Sequence, residues 1–141
     1  MVTAVSRDRS DYPHALALPT RWIDNDAFGH MNNAVHYQFF DTAVNRLLLD
    51  LGCSQAASGP NRFLVVETGC RYFNELAYPD LIVVGLRVGH LGRSSVRYDL
   101  GLFRSDDTLA SAAGFLVHVN TVSGRPAAFS AELRDKLGNL M

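Results

Sequence analysis

The chain has 141 residues, 48% of them hydrophobic, with a formal net charge of -1 and a pI near 6.5. That length makes one domain, which hides roughly 68–70% of its unfolded surface and so builds a true core. The balanced charge gives no reason to expect nucleic acid or an anionic membrane as partner, although it leaves room for a local basic patch facing a phosphorylated ligand.

Residues 1–14 read as a flexible N-terminal tail ahead of a single domain over 15–141. The tail is polar and charged, without the apolar stretch of a signal peptide. Leu16 to Trp22 predicts a short first strand, with Pro19 marking an edge or a bend. A loop from Asp24 to Asn33 follows. From Ala34 to Leu51 the apolar positions Val35, Tyr37, Phe40, Val44, Leu47, Leu48 and Leu51 recur at helix spacing with a broad stripe. Asn32 or Asn33 is the expected N-cap and Gly52 the expected C′ residue. Cys53 to Asn61 is small and polar, a loop. Cys53 and Cys70 form neither a CxxC pair nor a zinc spacing, and a reducing, cytoplasmic setting fits them.

The pattern then changes to strands. Residues 62–73 alternate loosely, with Leu64, Val66, Cys70 and Tyr72 on one face. Ile82, Val84, Leu86 and Val88 share a face of 80–90, and Val96, Tyr98, Leu100 and Leu102 share a face of 95–104. Residues 108–121 carry Leu109, Ala113, Phe115, Val117 and Val119. The connectors are too short for parallel crossovers, so these strands run antiparallel. The longest apolar run, Leu81 to Leu86 with one Gly, is too short to cross a bilayer. Ser130 caps a predicted terminal helix to Leu137. The sum is an α+β domain in which the helix stripe and one sheet face cover each other.

The loop Arg21-Trp22-x-Asp24-x-Asp26-x-x-Gly29-His30-x-Asn32-Asn33-x-x-x-Tyr37 resembles the signature of the 4-hydroxybenzoyl-CoA thioesterase family of hotdog-fold acyl-CoA thioesterases. Tyr78-Pro79-Asp80 is similar to that family's tyrosine–glycine–aspartate turn, with Pro79 where glycine is usual, and Gly92-Arg93-Ser94-Ser95 to its next hairpin. The likeness runs from about residue 15 to 122. It implies a hotdog fold, an antiparallel sheet wrapped around one long central helix. It also implies a homodimer or homotetramer with sites at the subunit interface. The implied activity is hydrolysis of an acyl-CoA to free acid and CoA, with coenzyme A part of the substrate and no separate cofactor. By motif position the catalytic carboxylate falls on Asp26, the oxyanion-binding backbone N–H near Asn33, and the CoA phosphates near Arg93. The acyl group does not carry over. Alternatives are the same hydrolysis on an acyl-carrier-protein thioester and a non-catalytic module that binds CoA esters. An enoyl-CoA hydratase is a weaker one, kept open by His30.

The residue chemistry stands beside that likeness. A carboxylate attacks a thioester carbon directly, through a mixed anhydride, or takes a proton from water; the residues alone do not choose. Asp26 equally suits a turn cap. A free N–H at a helix start stabilises the oxygen of an attacked carbonyl, which is the role read for Asn33, while Asn32 or Asn33 caps. Asp24 sits on the same side as Asp26 if the segment is extended, where it raises a pKa or instead pairs with Arg21. His30 orients Asp26 or bonds the loop backbone. Gly29 permits a positive φ or a close ligand approach. Tyr37 and Asp41 share a helix face, Tyr37 as core and Asp41 as a candidate lining residue. Glu67 interrupts an apolar strand and either faces the pocket across the dimer or makes an ordinary buried hydrogen bond. Arg93, with Ser94 and Ser95, grips a phosphate or is a solvated hairpin charge. His30 and His36 are six apart, not the spacing of a helical zinc site, and no metal is expected; neither GxGxxG nor a P-loop occurs.

Overall fold

The computed structural model describes residues 4–53 and 60–141; most of the loop expected between Cys53 and Asn61 lies outside them. Its elements are β1 (His14–Pro19), α1 (Val35–Asp50), β2 (Asn61–Tyr72), β3 (Leu81–Leu91), β4 (Ser95–Arg104), β5 (Ala112–Val122), the two-residue β6 (Arg125–Pro126) and α2 (Ala131–Gly138). The sheet order is β1-β3-β4-β5-β2, with β6 on β5, and every pairing is antiparallel, as the short connectors require.

Helix α1 lies in the hollow of this sheet. Phe39, Phe40, Val44, Leu47 and Leu48 are buried against Ile82, Val84, Leu86, Val96, Tyr98, Leu100 and Leu102. Each such side chain contributes about 1.5–3 kcal/mol relative to exposure. The close approach depends on Gly114: a Cβ there would collide with the Gly69 carbonyl oxygen and stand 2.8 Å from the Phe40 ring. The helix ends as expected, with Gly52 at φ 75°. Cys53 N–H donates to Leu48 O (2.7 Å) and Gly52 N–H to Leu49 O (3.0 Å), the paired bonds of a Schellman ending. Ser130 caps α2 by accepting the Leu133 N–H.

Three expectations change. The first strand stops at Pro19, and Trp22–Asp24 instead form a 3-10 turn, because the Asp24 carboxylate accepts the Arg21 backbone N–H and closes the turn. The N-terminal segment is docked rather than free. Arg7 and Ala110 exchange hydrogen bonds, and Tyr12 is buried edge-on to Phe103. In β2 the register against β5 shifts between Val65 and Glu67. Cross-strand partners share a face, so Val65 joins His118 and Phe63 joins Asn120 on the helix side, with Cys70 and Tyr72 beyond the bulge. Leu64 therefore points to the other face, away from Cys70 and Tyr72. A bulge resets a two-residue alternation.

Candidate active site

The loop from Asp24 to Asn33 folds back on itself before α1 begins. Asn25 bridges Met31, Asp26 N–H donates to His30 O (2.9 Å) and Gly29 N–H to Asp26 O (3.1 Å). Gly29 has φ 85°, the left-handed region that glycine enters without steric cost, so the turn itself requires it. The loop is tied down by Met31 N–H on Leu76 O (2.6 Å) and Asn32 N–H on Asp24 O (2.9 Å). The Tyr78 N–H, beside Pro79, donates to Asn25 Oδ1 (3.0 Å), which keeps the 77–80 turn against the loop.

Asp24 and Asp26 part company. Asp24 is 1% exposed; its Oδ1 takes the Arg21 guanidinium (2.8 and 3.2 Å) and its Oδ2 the Arg21 N–H (2.8 Å). It lines a separate small groove with Leu18, Gln38 and Phe39. Asp24 is thus an ion-pair and turn residue, and the alternative in which it shares a site with Asp26 does not hold in this geometry. Asp26 is half-buried. Its Oδ1 accepts the Phe28 N–H (2.9 Å), while its second oxygen has no partner among the described residues. The turn cap therefore uses one oxygen of this carboxylate and leaves the other open.

At the helix start, Asn32 Oδ1 accepts the Ala34 N–H (2.9 Å) and Asn32 O the Val35 N–H (2.9 Å). Neither asparagine is the N-cap, since Ala34 precedes Val35 with no side-chain cap bond; Asn32 closes the turn ahead of the helix. The Asn33 N–H has no acceptor among the described residues, and its carbonyl receives the Tyr72 hydroxyl (2.7 Å) and meets His36 Nδ1 (3.2 Å). Asp26, His30, Asn33, His36 and Tyr72 line one pocket of about 480 Å³, with Met31, Leu76 and Phe73 as its apolar wall. His30 stacks on Phe28 and lies 3.7 Å from the Glu75 carboxylate, not on Asp26. Burial holds the His36 pKa below its ordinary value, only partly offset by the Asn33 carbonyl. Burial raises the Tyr72 hydroxyl, and the neighbouring Cys70 and Tyr37 raise it further.

The remaining candidates lie apart from this pocket within one protomer. Tyr37 packs edge-on to Phe40 and beside Tyr72, deeper between α1 and β2. Asp41 is exposed and holds Asn45. Glu67 pairs in register with Val117 on the sheet's outer face, beside Arg87 and Arg97. Arg93, Ser94 and Ser95 form the β3–β4 hairpin at the far end of β3, whose 11 residues span about 35 Å. There Arg134 donates to Gly92 O (2.6 Å), so Arg93, Arg134 and His90 flank one shallow hollow. Sequence reasoning missed Arg134, since nothing local brings α2 to the hairpin. It weighed His36 only as a metal ligand and Tyr72 only as a strand-face residue. The one available signal was a histidine standing in the buried stripe of an otherwise apolar helix. Among the described residues no three His, Cys, Asp or Glu side chains converge on a metal position, and no helix is long and apolar enough to cross a membrane.

Comparison with known proteins places this geometry. The family model of the thioesterase-like superfamily matches residues 19–137. The crystal structure of the PA5185 protein from Pseudomonas aeruginosa is similar over 96% of both chains, with 46% identity and a TM-score of 0.92. A thioesterase from Thermus thermophilus, complexed with coenzyme A and Zn, is 28% identical over 92% of this chain and 95% of its own, with a TM-score of 0.80. The 1,4-dihydroxy-2-naphthoyl-CoA thioesterase Slr0204 from Synechocystis shares the fold at 14% identity, over 89% of this chain and 96% of its own, with a TM-score of 0.81. No curated protein matches the chain. The chain belongs to the thioesterase-like superfamily, as a thioester hydrolase with the α+β hotdog fold.

Proposed function

Taking that superfamily as premise, we propose that the chain hydrolyses an acyl-CoA thioester to the free acid and CoA. Asp26 is the nucleophile or general base, and the Asn33 backbone N–H is the oxyanion donor. One observation carries this reading. Asp26, with one carboxylate oxygen unpartnered, and Asn33, with a backbone N–H that has no acceptor among the described residues, line the same pocket. In the general-base route, Asp26 takes a proton from water as its oxygen adds to the thioester carbon. The carbonyl oxygen, now negative, is held by the Asn33 N–H and the positive end of α1. The carbon–sulfur bond then breaks, and the CoA thiolate leaves with the proton. In the nucleophilic route, Asp26 itself adds, CoA departs, and water cleaves the resulting anhydride. The order of Asp24, Asp26, Gly29, His30, Asn32 and Asn33 favours the 4-hydroxybenzoyl-CoA branch within the superfamily.

The same reading has the chain work as a homodimer. β2 is an outer strand with Leu64, Val65 and Val66 about half exposed or more, and a long apolar edge left open is an association hazard. Two-fold antiparallel pairing through β2 sets the partner's Asn61 end beside this protomer's Tyr72. The hairpin end of the partner then approaches the Asp26 pocket, which gives the partner's Arg93 a route to the CoA phosphates and explains why Arg93 is remote within one chain. The coenzyme A held by the Thermus thermophilus relative supports a CoA ester as substrate.

The test is a panel of acyl-CoAs, with the matching acyl-carrier-protein thioesters, assayed for thiol release with wild type and Asp26→Asn. The expected loss in kcat is at least ~100-fold, the range for removing a positioned acid–base group. Full activity in Asp26→Asn overturns the mechanism.

A further inference from the structure

We propose that His36 and Tyr72 are positioning residues that clamp the Asn33 carbonyl so that the free N–H of the same residue stays aimed at the substrate oxygen. The inference rests on the reading of Asn33 as oxyanion donor and goes one layer outward from it. Two side chains from different elements, one on the first turn of α1 and one at the end of β2, converge on the single Asn33 carbonyl at 3.2 and 2.7 Å. A carbonyl only accepts, so His36 Nδ1 carries the hydrogen of that contact. The two rings also brace each other, edge to face with centroids 4.7 Å apart. His36 is 3% exposed and has one ring orientation open to it, since a buried polar ring is held by the hydrogen bond it makes.

The peptide geometry shows what the clamp achieves. Asn33 stands between two peptide units. The preceding unit is held by the Val35 N–H on Asn32 O (2.9 Å). The following unit is held at both ends, its oxygen by His36 and Tyr72 and its N–H by Asn32 Oδ1 (2.9 Å). Both backbone torsions of Asn33 are therefore fixed from outside. The one polar backbone group of Asn33 left without a partner among the described residues is its N–H, and Asn33 lines the pocket with Asp26. Preorganisation of this kind removes reorganisation from the reaction, and a displacement of about 1 Å in such a group costs up to ~100-fold in rate. Tyr72 also makes the site depend on β2, so the outer strand and the oxyanion donor are mechanically joined.

The experiment is steady-state kinetics and thermal melting of Tyr72→Phe, His36→Leu and His36→Asn on the best acyl-CoA of the panel, beside Asp26→Asn. Tyr72→Phe keeps the ring and loses the clamp hydroxyl. We expect its kcat to fall about tenfold with KM within about twofold, because the donor matters most in the transition state. His36→Leu should behave likewise. His36→Asn, whose amide replaces the Nδ1 donor, should recover most of the loss. A merely structural role moves the melting temperature without this split or this rescue. An inactive Asp26→Asn together with wild-type kcat in Tyr72→Phe removes the clamp and leaves the reaction intact. A fully active Asp26→Asn removes both.

Discussion

Asp26 commits one carboxylate oxygen to the Phe28 N–H and leaves the other without a partner among the described residues, whereas Asp24 spends both oxygens on Arg21. The Arg21–Asp24 pair was one of the two roles legible for Asp24 in the sequence; the choice between them was settled by a 3-10 turn that the residues did not announce. Asp24→Ala should therefore lower the midpoint of chemical denaturation, because it removes the carboxylate that closes the 3-10 turn on the Arg21 N–H, while leaving KM close to wild type. A second residue-scale consequence concerns His118 in the core. It is 1% exposed, lies edge-on to Tyr98 and parallel to Phe63, and its Nδ1 has no hydrogen-bond partner among the described residues. Burial pushes its pKa down to about 4, with Asp41 drawing it slightly back up. Above pH 6.5 His118 is neutral both folded and unfolded, and no stability is lost through it. As pH falls from 6.5 to about 4, the unfolded chain binds a proton that the folded chain refuses, so stability drops through that window by an amount on the order of 3 kcal/mol. His118→Leu should flatten that part of the stability–pH curve; an unchanged acid slope would remove His118 as its cause.

At the scale of elements, α1 was legible because its apolar spacing and its ending at Gly52 agree with one another. The helix-side residues of β3 and β4 were equally legible from strict alternation, Ile82 to Val88 and Val96 to Leu102. β2 was not, since a single extra residue near Val66 changes which side chains face the helix and leaves no mark in composition. The docking of residues 5–12 was also hidden: the segment is polar, and only Tyr12 buries a large ring. The helix–sheet contact has its own test at Gly114. Ala there meets backbone on one side and the Phe40 ring on the other, so the helix must lift from the sheet. Gly114→Ala should cost about 1–3 kcal/mol or more in urea denaturation. A variant as stable as wild type would contradict the packing described for α1.

For the whole molecule, the residues expected to meet the substrate divide into two groups at opposite ends of one sheet. The Asp26 group was legible as a contiguous motif. The Arg93 group was legible only as a hairpin, and in the proposed dimer a second copy across β2 bridges its distance from Asp26. Val66→Lys, a charge on the outer strand, should disfavour edge pairing. It should shift the protein toward monomer in sedimentation, and kcat/KM should fall with it. A fully active monomer would contradict the shared site. The most direct measurement is the crystal structure of Asp26→Asn soaked with an unhydrolysed acyl-CoA. The thioester oxygen is expected about 3 Å from the Asn33 nitrogen, and the thioester carbon about 3–3.5 Å from the residue-26 side chain or one water away from it. A thioester bound with its sulfur remote from both groups would contradict the account.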